Sequence, residues 1–352
     1  MVDGQVLSGN EFSEIQDWFV AQGLTDGLPI VPPTQDAVAE MIDGCSVSGD
    51  TEIGQIPPLG ATATVSKIAV NAVMAGCKPE HFRTVLTAVR AILTPEFNLD
   101  TIQTTTHPAA PLVIVHGPEA RRIGVNGKSG ALGPGFRANA VIGRAIRLVL
   151  MNLGDARPGV RDFSTLGTPS KYTFCMAENI DESPWPEFHT TRGLSPETSA
   201  VTVVGVEGPQ SVNDHESTTP ARNLDLVASV MGHLGSNNWF ASDSASDIVV
   251  VLAPEHALLA SNAGWDRVAV QRYLYNRCMR PARELSKGGQ WELRTWSPWM
   301  HALVDDPDAR IPIVESPDDI VVLVAGGPGR FSAVMTGMGN ISRAVTLPIP
   351  TD

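Results

Sequence analysis

The chain has 352 residues, of which 43% are hydrophobic and 18% are charged, and its formal net charge is −13. This length accommodates two lobes or one large α/β domain, and the composition favours a sizeable core over disorder. The negative charge disfavours nucleic acids and anionic membranes as partners. The N-terminal segment lacks a basic, apolar leader, and no apolar run reaches the ~20 residues of a membrane span, so we expect a cytoplasmic protein.

Helical patterns dominate the first hundred residues. They predict helices over 11–22 and 35–43, separated by a proline-rich extended segment at 25–34. A helical hairpin is expected over 63–93, in which Thr64 caps the first helix, Gly76 ends it and Pro79 lies in the first turn of the second.

Four later segments combine several β-branched residues with a following Gly/Pro turn. They are PLVIVHGPE, VTVVGVEGPQ, IVVVLAPEH and IVVLVAGGPG, and helices are predicted after the first three, over 137–153, 222–234 and 266–279. Apolar strands that alternate with helices predict an α/β fold with mixed or parallel sheets covered by helices. The recurrence suggests two lobes related by internal duplication. We expect an N-terminal lobe over 1–160, with the hairpin and a glycine-rich loop, and a C-terminal α/β lobe over 161–352.

A second feature of the C-terminal half is the segment 280–312. It contains Trp291, Trp296 and Trp299 without a clear strand or helix pattern, and we expect an irregular excursion there.

A glycine-dense loop, GVNGKSGALGPGF, joins the strand at 111–115 to the helix at 137–153. A strand, such a loop and a helix N-terminus can form an anion cradle, because unpaired N–H groups and the helix dipole point into the loop. The Walker order GxxxxGK[ST] is absent, and a plain connection is an equally good interpretation. The candidate substrate-binding residues in and after this loop are Lys128, Gly130, Arg137, Asn139, Arg144 and Lys171. Arg137 in a first helical turn opposes the dipole, which indicates an acidic or anionic partner.

Cys175, Glu178 and Asn179 bring a thiol, an acid and an amide within five residues. We expect this stretch to lie in a polar environment near a loop. Cys175 is then a candidate nucleophile, Glu178 a proton shuttle and Asn179 a hydrogen-bond donor. The alternative is that Cys175 is a small core residue, as free cysteines usually are.

The eight histidines show no HxH or HExxH spacing, so a metal site requires distant residues to converge. His107 and His116 lie at either end of one predicted strand, and His215 follows another strand. These three histidines are the candidates for such a site. The four cysteines, with no CxxC pair, disfavour a zinc ribbon and a disulfide scaffold.

Several stretches together resemble a bacterial protein family that occurs alongside proteins with a UGSC motif, in which selenocysteine or cysteine is found. The stretches are DGLPIVPPT, NAVMAGCKPE, RANAVIGRAIRLVLMNLG, GTPSKYTFCMAEN and SPW. The match extends to about residue 280, and this chain lacks the UGSC motif itself. The resemblance implies an intracellular enzyme that works beside a thiol or selenol partner. It implies no reaction and no catalytic residue.

Three functional hypotheses follow from these patterns. The first is a lyase or hydrolase that acts on a small polar or anionic molecule through Cys175 and Glu178, with no cofactor required. The second is a metal-dependent lyase or hydrolase with dispersed histidine and glutamate ligands. The third is a non-catalytic subunit that binds a small molecule or serves as a scaffold. The apolar composition also predicts a homo-oligomer.

Overall fold

Two four-stranded sheets lie face to face, and helices cover the outer face of each, in the computed structural model of the protein. The model describes residues 12–239, 247–285, 306, 308–338 and 342–351. The expected α/β class with mixed sheets is therefore confirmed. The expected excursion at 280–312, with its three tryptophans, lies mostly outside the described residues.

The N-terminal part is helical, apart from one short β-hairpin. Its elements are α1 (Phe12–Ala21), α2 (Gln35–Asp43), β1 (Glu52–Ile56), β2 (Ala61–Thr64), α3 (Val65–Ala75), α4 (Phe82–Ile92) and α5 (Leu99–Thr104). The predicted caps are confirmed: Thr64 Oγ1 accepts from the Lys67 N–H, and Gly76 ends α3 with φ 89°. The placement of Pro79 was wrong by one turn, because it begins a short 3-10 helix that precedes α4.

The first sheet contains four strands. They are β3 (Ala110–His116), β4 (Cys175–Ala177), β5 (Ala200–Val206) and β12 (Val345–Pro348). The order is β12-β5-β3-β4, in which only β3 and β4 are parallel. The crossover between these two contains α6 (Pro118–Arg122) and α7 (Arg137–Gly154), and α3, α4 and α7 cover the outer face.

The second sheet repeats this arrangement. Its strands are β6 (Gln210–Asn213), β7 (Ile248–Leu252), β10 (Ile320–Val324) and β11 (Phe331–Met335). The order is β6-β11-β7-β10, and again only the last pair is parallel. Helices α8 (Pro220–Met231), α9 (Pro254–Asn262) and α10 (Arg267–Arg277) cover this sheet. The crossover to β10 also contains β8 (Met279–Pro281), α11 (Ala282–Leu285) and β9 (Arg310–Pro312).

The outermost strands are exchanged between the two halves of the chain. β6 follows β5 directly but belongs to the second sheet, and β12 follows β11 but belongs to the first. Both the lobe division at residue 160 and an evolutionary duplication stay predictions, because repeated topology does not by itself establish common descent.

Side chains alternate along the central strands between the two faces of each sheet. In β3, Leu112 and Ile114 point toward the other sheet, whereas Val113 and Val115 contact the helices. Both faces are buried, which explains why β3, β5, β7 and β10 are almost continuously apolar and could be predicted. The inter-sheet core ends where β3 and β4 end, and polar residues begin there.

Candidate metal centre

His116, Glu187 and His189 converge beyond the end of β3. One ligand atom from each lies within 4.8 Å of the other two. Both histidines are fully buried, and the Glu187 side chain is 10% exposed. His116 is the last residue of β3, and the other two lie at the start of the 3-10 helix Phe188–Arg192.

The Nε2 atoms of both histidines already have partners. His189 Nε2 lies 3.0 Å from the Ser195 carbonyl oxygen, and since a carbonyl only accepts, Nε2 carries the proton and Nδ1 presents a lone pair. His116 Nε2 contacts Thr202 Oγ1 at 2.9 Å, and that hydroxyl contacts Thr346 Oγ1 at 2.8 Å. Such hydrogen bonds on the remote ring nitrogen orient a histidine for metal binding through the other one.

Glu178 and Arg267 form a buried ion pair next to His116 Nδ1. Arg267 Nη2 donates to Glu178 Oε1 at 3.2 Å, and the Phe188 N–H donates to Oε2 at 2.6 Å. His116 Nδ1 lies 3.3 Å from the same Oε2. Burial raises the pKa of Glu178, but the contacts with His116, Arg267 and the Phe188 N–H outweigh burial and lower it. Glu178 is therefore an anion in contact with the Nδ1 side of His116.

Several buried polar atoms in this region have no hydrogen-bond partner among the described residues. They are His189 Nδ1, Arg267 Nε and Asn179 Oδ1, whereas His116 Nδ1 has its ion-pair contact with Glu178 Oε2. Buried polar groups are nearly always satisfied, so unsatisfied atoms that lie together indicate a missing ion, water or ligand. The pKa of His189 is lowered, mainly by burial and to a smaller extent by the nearby His116. The lower pKa favours the neutral ring, which is the form that binds metals.

The second sheet has a buried histidine of a different kind beyond the end of β7. His256 Nδ1 lies 2.7 Å from Ser332 Oγ, and its Nε2 lies 3.0 Å from the Asp214 carbonyl oxygen. Both ring nitrogens of His256 therefore have protein partners, whereas His189 Nδ1 has none among the described residues.

The centre fits a transition-metal ion with two nitrogen ligands and one oxygen ligand. Zinc takes such ligands at about 2.1 Å, which places neighbouring ligand atoms roughly 3.4 Å apart. The ligand atoms lie within 4.8 Å of one another, so the three side chains need to move closer together to reach that geometry. Gly117 N donates to both carboxylate oxygens of Glu187, at 3.1 and 3.2 Å, and holds this ligand beside His116.

Cys175 lies in an environment different from the one expected. It is buried in β4 with its side chain toward the helical layer, so the expected polar, loop-like surroundings are wrong. Burial raises the pKa of its thiol, which keeps it protonated at neutral pH. Cys175 is the first residue of the three-residue strand β4, and Glu178 and Asn179 follow its C-terminal end.

Asn179 joins the two sheets. Its backbone N–H donates to the Val324 carbonyl oxygen at 2.8 Å, and its Nδ2 donates to the Gly326 carbonyl oxygen at 2.9 Å. The N–H of Gly326 in turn donates to the Gly127 carbonyl oxygen. The two glycine-rich loops, at 124–135 and 325–329, therefore meet beside the centre.

The candidate residues in the glycine-rich loop and its helix have mainly protein partners. Lys128 is exposed and pairs with Asp181 at 2.7 Å, while Gly130 adopts φ 74°. Asn139 is buried and joins the loop to β4 through the Cys175 carbonyl oxygen. Arg137 donates to the Gly76 carbonyl oxygen at the C-terminal end of α3, and not to the acidic or anionic partner expected from the sequence.

Arg144 and Lys171 each pair with an aspartate. Arg144 makes two 2.8 Å bonds to Asp26 and so anchors the proline-rich segment 25–34. Lys171 pairs with Asp162 at 2.7 Å beside a cleft that is separate from the metal centre.

Of the three histidines proposed as metal ligands, only His116 belongs to the converging group. His107 pairs with Glu207 at 2.8 Å, and the exposed ring of His215 contacts Phe331. Glu187, His189 and Arg267 did not stand out in the sequence. The one local signal was the spacing Glu187-Phe188-His189, which has no established metal-binding signature.

In comparisons with protein-family models, with curated proteins and with solved structures, this chain has no match. The resemblance to the family that accompanies UGSC-motif proteins therefore stays a prediction. Among the helices that the structure describes, none is both long and apolar enough to cross a bilayer.

Proposed function

We propose that this protein is a metal-dependent enzyme of the hydrolase or lyase type, whose ion is bound by His116, Glu187 and His189. One observation carries the proposal: the buried His189 Nδ1 has no hydrogen-bond partner among the described residues, and His189 converges with His116 and Glu187 so that one ligand atom of each lies within 4.8 Å of the others. Two nitrogen ligands and one oxygen ligand favour zinc, with Mn²⁺ or Fe²⁺ as the other ions this set accepts.

The number of protein ligands favours a catalytic role over a structural one. Structural zinc sites use four protein ligands, whereas catalytic sites use three and leave one position open. Glu178 does not act as the fourth, because Arg267 and the Phe188 N–H already engage its two oxygens. When bound, an ion here supplies an activated water or polarises a substrate oxygen. The chain orients the ligands through Thr202, Ser195 and Gly117.

Cys175 has no part in this proposal, because a buried, protonated thiol that faces a helical layer is a poor nucleophile. The substrate class stays as the sequence suggests, a small polar or anionic molecule. Such a molecule would approach the open coordination position of the ion from the side on which Glu187 is partly exposed.

The test begins with metal titration of the chelator-treated wild type and of His189→Gln and Glu187→Gln by calorimetry with Zn²⁺ and Mn²⁺. We expect about one ion per chain, and each substitution to weaken binding at least tenfold because it removes one of three ligands. His215→Gln is the matched control, since this histidine is exposed and lies outside the group. Binding that is unaffected by either ligand substitution contradicts the proposal.

A second measurement separates a catalytic ion from a structural one. Hydrolysis of ester, amide and phosphate-ester probes is compared before chelation, after chelation and after one equivalent of Zn²⁺ is restored. Loss and recovery of activity support the enzyme. An ion that raises the melting temperature, without activity toward any probe, instead supports a structural role.

We also propose that the protein is a cytoplasmic homo-oligomer. All four cysteines are free and buried, which fits a reducing compartment. Exposed apolar side chains also occur on the loops beside α7, including Leu28, Leu59 and Phe163. Light scattering during gel filtration tests the assembly, and a monomer at micromolar concentration contradicts it.

A further inference from the structure

A cleft of about 570 Å³ lies between the segment 155–172, the C-terminal half of α7 and the loop at Thr25 and Asp26. This volume is within the range of small-molecule sites. The cleft begins near Lys171, at the N-terminal end of β4, whereas the metal centre lies beyond the C-terminal end of that strand. The cleft is thus a separate feature of the protein.

Two cations share a single carboxylate at the cleft. Lys171 Nζ donates to both oxygens of Asp162, at 2.8 and 2.7 Å, and Arg147 Nη2 donates to Oδ2 at 3.2 Å. The Ser164 N–H takes a further position on Oδ1 at 3.1 Å. The side chains of Asp162, Arg147 and Lys171 are 2%, 9% and 12% exposed, so water screens this group poorly.

The second acid of the cleft does not offset the extra positive charge. Both oxygens of Asp26 are bound by Arg144, in a bidentate pair at 2.8 Å. Two cations and two carboxylates line the cleft, and one of the carboxylates, Asp26, is paired with Arg144, which lies outside the lining. Burial and the neighbouring Arg147 lower the pKa of Lys171, with Asp162 opposing both. Arg147, Lys171 and Asp162 therefore form a poorly exposed group with a net charge of +1.

The remaining lining suggests the rest of the ligand. Leu166 is 96% exposed and Tyr172 is 50% exposed, and both border the cleft together with Met151. Thr165 and Thr168 add hydroxyl groups. A ligand that covers this lining carries an apolar part next to its charged group.

We infer that this cleft binds a small monoanionic carboxylate with a short apolar chain, whose carboxylate interacts with Lys171 and Arg147. The monoanion restores charge balance, and the chain covers Leu166 and Tyr172. An ammonium has three donors, and since two go to Asp162, the third is available to the ligand. This site is independent of the proposed metal ion, so each can fail without the other.

The test is calorimetric titration of the full chain with acetate, butyrate, hexanoate and inorganic phosphate. We expect saturable binding that tightens by about threefold to fourfold per added methylene, since each buried CH₂ contributes about that factor. Lys171→Gln should weaken hexanoate binding at least tenfold. Lys128→Gln, which removes an exposed lysine outside the cleft, should not change it.

Three outcomes overturn the inference: no saturable binding of any carboxylate, equal binding by Lys171→Gln, or phosphate binding tighter than hexanoate. If Lys171→Gln does not fold, the wild type is acetylated with an N-hydroxysuccinimide ester with and without hexanoate, and each lysine is followed by mass spectrometry. Hexanoate should protect Lys171 and leave Lys128 unchanged. Equal rates with and without hexanoate contradict the site.

Discussion

The Cys175 thiol shows how the environment of a residue decides its chemistry. In the sequence it stands near Lys171, Glu178 and Asn179, a combination typical of reactive thiols. In the fold, alternation along β4 turns its side chain into the apolar core below the helical layer. Sequence proximity could not reveal this, because the three-residue strand β4 has no clear pattern of its own.

We therefore predict that Cys175 reacts slowly with iodoacetamide in the folded protein. Burial raises the pKa of its thiol, so the thiolate is scarce below pH 9 and the reagent has no access. The labelling rate of each cysteine is followed by mass spectrometry. It should match the rate at which unfolding exposes that cysteine. The same sample in urea serves as the control. Rapid labelling of Cys175 alone, with an apparent pKa below the ~8.5 of a free thiol, contradicts this account.

Asp214 predicts a defined acid sensitivity. Burial raises its pKa, but hydrogen bonds from Asn223, Ser217 and Glu216 outweigh burial and bring the pKa to about 2. Because the folded pKa is lower than the unfolded one, the stabilisation is complete above about pH 4 and is lost as the pH falls toward 2. Asp214→Asn should lower the free energy of unfolding by about 2 kcal/mol at pH 7.

The measurement for Asp214 is urea unfolding of both proteins at pH 7 and pH 3. The difference between them should shrink at pH 3, where the wild type has begun to lose the same contribution. Asp17→Asn, on the exposed face of α1, is the control and should change little at either pH. An equal difference at both pH values contradicts the linkage.

Among the elements, α7 positions both the cleft and the glycine-rich loop. It packs against the residues leading into β4 so closely that Gly143 has no room for a side chain: a Cβ there would lie 2.4 Å from the Phe174 backbone nitrogen. The helix itself was predictable from its apolar period. The close approach was not, because it depends on a partner that is thirty residues away.

Gly143→Ala should accordingly lower the free energy of unfolding by about 2 kcal/mol, because the added methyl group forces α7 away from the backbone at Phe174. Chemical denaturation measures the change. Gly235→Ala, in an exposed turn where the nearest atom would be 3.6 Å away, should change it by less than about 0.5 kcal/mol. If Gly143→Ala raised the free energy of unfolding, this would contradict the prediction, because α7 could then move away from the backbone at Phe174 without loss of stability.

Strands differ in how far the sequence predicts them. β3, β5 and β7 are central and β10 lies at an edge, but all four are buried on both faces and rich in β-branched residues, so their apolar runs identify them. β6 and β12 are edge strands of four residues with partly exposed patterns. Their pairing with the opposite half depends on contacts between distant parts of the chain, which no local pattern specifies.

At the scale of the whole molecule, the candidate centre is assembled from both halves. His116 and Glu178 come from the first sheet, Glu187 and His189 from the following segment, and Arg267 from the helical layer of the second sheet. Only the first two were identified from the sequence. Each of the others is a single polar residue in an ordinary context, and only the layered packing brings them together.

The most direct measurement is the anomalous scattering of a crystal of this protein grown or soaked with Zn²⁺, recorded above and below the zinc edge. We expect one strong peak about 2.1 Å from His116 Nδ1, His189 Nδ1 and a carboxylate oxygen of Glu187. The peak should be absent from His189→Gln crystals. A zinc-soaked wild type with no peak at these three residues would contradict the proposed centre.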